Sequence, residues 1–407
     1  MNKPLLLLTA FLFCILFTRA QTVNKDSAAA NSAATNFSKQ RDAIDIIYWF
    51  FGKDPSKRIV DTTHPQVGKL YFSGSPAVAY SLQTGFSVLA EGNFAFYLGP
   101  DTTTKISSVL AEIEYTQKHQ FLLPFRINIW SKENKYNFIG DWRFLKYPQD
   151  TYGIGGSTKL SDAYTVDYDY VRLYQFALRK IKNELYGGIG VQYDYHSNIK
   201  ELNPPANSDF EKYGFSKSST SSGLSLNLLY NTRKNLTNPE AGSVYMNVIL
   251  RQNVSWLGSN SNWTSAIIDL RKYIHAGGRN NILAFWTYEW LTLSGNPPYL
   301  DLPSNGWDTY GNTARGYVQN RYRGKQMLYA EGEYRFVITH NQLFGGVVFA
   351  NASSFTNLNN RFNGILPAAG AGLRVKFNKF SRTNVAVDYA IGKGGSHGLF
   401  LNLGEVF

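Results

Sequence analysis

Glu331 and Glu333 stand two residues apart in a segment whose apolar and polar residues alternate, so both carboxylates fall on one face of a strand. Two acids placed this way can do general acid–base work, or they can hold an arginine. Arginine pairing is the simpler reading, because Arg315, Gly316 and Tyr317 lie in the loop just before that strand. Other chemistry finds little support. The six histidines (His64, His119, His196, His275, His340, His397) are dispersed, with no two at helical or hairpin ligand spacing. No Gly-x-Ser-x-Gly elbow occurs. The one cysteine, Cys14, lies in an apolar N-terminal run that a mature chain would not keep, which leaves no thiol for a disulfide or a thiolate metal site. Neither an enzyme nor a cofactor or metal is expected.

The elements that must position these residues begin with a leader. Lys3 is followed by an apolar run from Leu5 to Phe17, and Thr18-Arg19-Ala20 offers a small residue for cleavage before Gln21. The run is shorter than the roughly 20 residues a spanning helix needs, but it suits a signal peptide over 1–20. Residues 21–65 read as a polar, disordered segment and a short amphipathic helix. Ser38 is the expected cap, and Ala43, Ile46, Ile47, Phe50 and Phe51 recur at helical spacing, with Tyr48 and Trp49 widening the face. Such a helix would pack under the following domain, lie on the inner leaflet of the outer membrane, or act as a plug or docking helix.

Beyond it the pattern changes to period two. Aromatics make up 15% of the chain, with 27 Tyr and 27 Phe, against only 17% charged residues, yet no run is long enough for a membrane helix. Closed strands are the other way to cross lipid with every backbone group paired. Sixteen alternating segments follow, at 72–80, 85–98, 107–117, 120–130, 136–147, 163–181, 185–196, 223–231, 242–254, 263–275, 281–294, 326–338, 343–351, 367–377, 383–391 and 399–407. Their connections alternate short and long, as turns on one side of a membrane and loops on the other would. The expected fold is all-β: a sixteen-stranded antiparallel transmembrane β-barrel over 66–407 with a short N-terminal periplasmic helix, located in the bacterial outer membrane. Tyr329, Glu331, Glu333 and Arg335 should face its lumen; Leu399, Leu401, Leu403 and Phe407 should share a lipid face, with terminal Phe407 as the assembly signal read by the barrel-insertion machinery. The basic excess, 41 Lys and Arg against 29 acids, is scattered, with no run of five. It suits lipid phosphates or a lumen lining better than nucleic acid, which is not expected as a partner.

The loop 313–324 (TARGYVQNRYRG), followed by Tyr329-Ala330-Glu331-Gly332-Glu333-Tyr334-Arg335-Phe336, resembles the BamA/TamA-like superfamily, in its bacterial surface antigen barrel domain. Ala77–Gly85, Tyr152–Gly156, Tyr230–Gly242, Ser294–Tyr299, Gly370–Arg374 and Leu403–Phe407 fit the same family, so the resemblance covers roughly 66–407. It implies that the loop folds back into the barrel and that Arg315 pairs with acids on the wall, with Glu331, Glu333 and Asp388 as partners. Asn351 stands where an Asp is common, which would weaken or rewire the clamp. Family members that insert or secrete proteins carry POTRA modules of about 75 residues. Only some 45 residues separate Gln21 from the first strand, so none is expected. The function implied is outer-membrane biogenesis or protein or lipid transport, with outer-membrane lipid and a separate periplasmic or lipoprotein partner. The alternative is a passive pore or structural surface antigen.

Overall fold

The computed structural model describes residues 40–55, 58, 65–278 and 280–407. The expected signal peptide and the polar segment after it, 21–37, lie outside the described residues. The first element among the described residues is helix α1, Ala43–Phe50, whose cap is Asp42; the expected cap, Ser38, lies outside the described residues. The Asp42 carboxylate accepts from the Asp45 backbone N–H at 2.7 Å, and Asp45 returns the bond at 3.3 Å, which closes a capping box. Eight residues are too few for a helix to persist unaided in water. Here the first turn is held from outside: Lys379 Nζ lies 2.8 Å from Asp45 and Arg58 lies 2.5 Å from both Asp42 and Asp45. The Arg41 N–H adds a bond to the Asn341 carbonyl. Burial pushes the Asp45 carboxyl up, but the bonds from Lys379 and Arg58 outweigh it and hold the group below the ordinary carboxylate range.

Seventeen strands follow in one antiparallel sheet. They are β1 Tyr71–Ser81, β2 Gly85–Phe96, β3 Ser107–Thr116, β4 Phe121–Trp130, β5 Tyr136–Lys146, β6 Gln149–Thr151, β7 Tyr164–Lys182, β8 Leu185–Leu202, β9 Ser219–Asn231, β10 Val244–Asn253, β11 Trp263–His275, β12 Ile282–Gly295, β13 Gln326–Val337, β14 Phe344–Phe355, β15 Leu366–Asn378, β16 Thr383–Gly392 and β17 His397–Leu403. Each pairs with its neighbour in sequence, except that β5 and the three-residue β6 both pair with β7. A second helix, α2 (Asp209–Gly214), lies in the β8–β9 connection. The period-two pattern places every long strand, because alternation is all that a strand needs to present two different faces.

Those faces are inverted relative to a water-soluble sheet. In β9 Leu224, Leu226 and Leu228 are exposed, while Ser221, Ser225 and Asn227 between and before them are buried. β8 repeats this with Ile189 and Val191 exposed against buried Gln192 and Asp194. Tyr329, Glu331, Glu333 and Arg335 of β13 are all buried on the polar face.

Closure is where the structure departs from expectation. Ladders run without a break from β1–β2 to β16–β17, but none joins β17 to β1, so the sheet is open and the closed sixteen-stranded transmembrane barrel is corrected to an open seventeen-stranded sheet. The cause lies at the last strand. β17 has seven residues, and Gly404, at φ +100°, turns the chain off the ladder. Leu399, Leu401 and Leu403 stay exposed, whereas Val406 and Phe407 are buried on the polar side. Phe407 therefore does not share the face of the leucines; its ring packs 5.2 Å from that of Trp286.

Because α1 is docked through its charged first turn, Asp45→Ala should free it while leaving the sheet intact. Chymotryptic cleavage around Tyr48–Phe51 should then quicken by roughly tenfold or more, with an unchanged thermal transition of the sheet.

Candidate functional site

The connection from β12 to β13, residues 296–325, lies on the polar face of the sheet. It is stiffened first by its own bonds. Asp308 accepts from the backbone N–H of Thr313 at 2.9 Å and from its hydroxyl at 2.7 Å, and Arg323 donates to the Tyr299 carbonyl at 2.5 Å. It is then tied to distant strands and their connections. Tyr147 donates to Gln319, Arg321 to the Thr158 hydroxyl, Tyr317 to the Pro367 carbonyl and Asn312 to the Val406 carbonyl.

Arg315 is the centre of these ties. Its Nη1 donates to Glu331 at 2.5 Å and to Glu333, and its Nη2 donates to Asp388 at 2.6 Å. The guanidinium also lies 3.3 Å from the centroid of the Phe349 ring. Asn351 does not meet the guanidinium; its amide donates to the Arg315 carbonyl at 3.0 Å, fixing the backbone that carries the charge. The structure thus brings together Arg315, Glu331, Glu333, Asp388 and Asn351. Gly316 must be glycine here for two reasons: its φ is +99°, and a Cβ would sit 2.5 Å from that of Ala368. That close approach seats Tyr317, whose hydroxyl also accepts from the Lys393 N–H at 2.9 Å.

Sequence reasoning stopped short of the whole network. Arg335 donates to Glu333 at 2.6 Å and to the Phe407 carbonyl at 2.8 Å; Arg374 donates to Asp388 at 2.5 Å and to Glu405 at 2.8 Å. Three guanidinium groups and four carboxylates therefore alternate in one buried cluster, and the C-terminal segment is part of it. Burial opposes the ionised form of Glu405, but Arg374 and Arg335 hold its carboxyl below the ordinary range. Alternation had already set Arg335 on the Glu331–Glu333 face, though not its bonds to Glu333 and the Phe407 carbonyl. Glu405 could not, because its place depends on the turn at Gly404.

A second cluster was missed altogether. Asp194 on β8 accepts from Tyr170 at 2.5 Å, Tyr174 at 2.8 Å and Arg251 at 2.7 Å. Asp301 of the loop comes up beside it, accepting from Ser221 at 2.6 Å, with His196 at 3.8 Å. A cavity of about 20 Å³, room for about one water molecule, is lined by Asp301, His196, Arg251 and Tyr174. Burial and the nearby Asp194 charge push Asp301 up to about 7. Among the described residues no cluster of His, Cys, Asp and Glu is placed to hold a metal.

A family model of the Omp85 superfamily domain matches residues 97–398. The chain belongs to the Omp85 superfamily. Solved structures agree in fold. BamA from Haemophilus ducreyi lacking POTRA domains 1–3 superposes with a TM-score of 0.56 at 15% identity, over 82% of this chain and 69% of that one. CdiB from Escherichia coli gives 0.53 at 11% identity, over 84% and 63%, and CdiB from Acinetobacter baumannii gives 0.50 at 11%, over 83% and 60%. The chain thus spans about three-fifths of the length of either CdiB chain. No curated protein matches by sequence. Omp85 membership supports an outer-membrane location and a general role in outer-membrane biogenesis or transport, and it places the chain among non-catalytic proteins. No helix among the described residues is long and apolar enough to cross a membrane, which says nothing of strands.

Arg315→Ala would leave three buried carboxylates short of a partner, so stability should fall by about 3–5 kcal/mol, read as lost heat resistance on gels. Arg315→Lys should fall between, because a point charge cannot fork to three acids. Asp301 predicts a pH dependence of the opposite sign to most carboxylates. The folded chain binds its proton more tightly than the unfolded chain, so stability is full below about pH 4, declines towards about pH 7 and is level above. Asp301→Asn should flatten that decline in thermal transitions recorded across the interval.

Proposed function

We propose that this Omp85 protein works in outer-membrane biogenesis or transport by offering the unpaired edges of β1 and β17 to a client strand or to lipid, with a separate periplasmic or lipoprotein partner. The open seam carries this reading. An unpaired edge presents a row of free N–H and C=O groups, a ready template for an added strand. β17 is kept short by the turn at Gly404, and the residues that would lengthen it are engaged by Arg335 and Arg374 instead. The exposed aliphatic side chains of β8, β9 and β17 suit contact with lipid. The loop held by Arg315 fills the polar face, which favours a gated structure over a passive pore.

The edges lie beside each other without hydrogen bonding. A Cβ on Gly398 would sit 2.8 Å from the Leu82 Cγ, within reach of a disulfide between the two positions. The pair Leu82→Cys and Gly398→Cys, with Cys14→Ser, should lose activity when oxidised and regain it on reduction, read as outer-membrane protein levels in a depletion strain. Full activity of the locked form would remove the seam from the mechanism. In planar bilayers the protein should conduct weakly; a wide and stable conductance would favour the passive pore.

A further inference from the structure

We propose that α1 is a membrane-interface anchor: its aromatic end, Ile46 to Phe51, sits in the interfacial region of a phospholipid bilayer at the end of the sheet where β13–β14 and β15–β16 turn.

An amphipathic helix that docks on its own domain buries its apolar stripe and leaves its charges in water. α1 does the reverse. Asp42 and Asp45 are buried, capped and paired with Lys379 and Arg58. The packing thins after this first turn. Trp49 lies one turn beyond Asp45 on the same face and is already 73% exposed, with Phe50 at 79% and Phe51 at 72%. Ile46 and Ile47 are each about half exposed.

The order of these residues selects the occupant. Six consecutive bulky apolar or aromatic side chains, at 100° per residue, pass right round the helix. A groove on a partner or a second copy covers one face of a helix, and would leave the others in water. A bilayer takes in the whole circumference, and a helix that is apolar all round belongs in such surroundings. The neighbourhood agrees. The same turn-bearing end of the sheet exposes Val337, Ile338, Phe344 and Phe377, so the helix continues an apolar surface of a protein that family membership places in the outer membrane. Exposed Lys53 lies 5.6 Å from the Tyr48 ring centroid, which sets a cationic group beside an aromatic with a polar tip, the arrangement that suits a headgroup layer.

The proposal does not rest on the seam, and its test does not read activity. The full chain carrying Cys14→Ser and Phe50→Cys is spin-labelled and placed in phosphatidylethanolamine–phosphatidylglycerol vesicles. Its accessibility to oxygen and to a water-soluble nickel chelate is then compared with that of a label at Ala206→Cys, on an exposed loop. Trp49→Cys provides a second label on the same end. The oxygen-to-nickel ratio at 49 and 50 should exceed that at 206 several-fold. A nickel-accessible label at both positions would place the helix in water and overturn the proposal. So would an immobilised label shielded from both reagents, which would mark a protein partner; if diluting with unlabelled chain removed dipolar broadening, that partner would be a second copy.

Discussion

A guanidinium taken out of water is tolerated only when carboxylates surround it, and the neighbourhood of Arg315 follows from that condition. The charge rides on a loop, but its partners stand on β13 and β16, so satisfying it fixes where the loop lies on the sheet. Each carboxylate it meets is shared in turn. Glu333 also takes Arg335, and Asp388 also takes Arg374. Arg374 and Arg335 then hold Glu405 and the Phe407 carbonyl, and through them the end of the chain. A buried ion network is stable only as a whole, since removing any member strands the others.

The second cluster works on the same loop with a different balance. Asp194 is saturated by two tyrosines and Arg251, so the approach of Asp301 adds a like charge to a site already neutralised. One part of the loop is therefore clamped by attraction, while the other carries a carboxyl, Asp301, that burial and the Asp194 charge incline to keep its proton.

The same network shapes the seam. In β17, Leu399, Leu401 and Leu403 alternate outward as strand residues should, and the alternation would have carried Phe407 with them. The left-handed turn at Gly404 and the pull of Arg335 and Arg374 draw the last residues to the polar side instead. The ladder ends early, and β1 and β17 face each other unpaired.

What the sequence determined by itself is periodic and local. Alternation placed all sixteen long strands, because side-chain direction along a strand reverses at each residue whatever the neighbours do. It also put Glu331, Glu333 and Arg335 on one polar face, and resemblance added Arg315 and Asp388 as one group. The cap of α1 is Asp42, which is held by a buried pairing with Arg58 and a bond from the Lys379 N–H, distant in sequence, that no local spacing announces. Asp194 and Asp301 are 107 positions apart, and nothing in spacing announces that they meet. Only the tertiary structure could decide the open edge, since closure depends on whether two strands at opposite ends of the chain arrive in register. Here a single glycine and two arginines divert the last strand before it does.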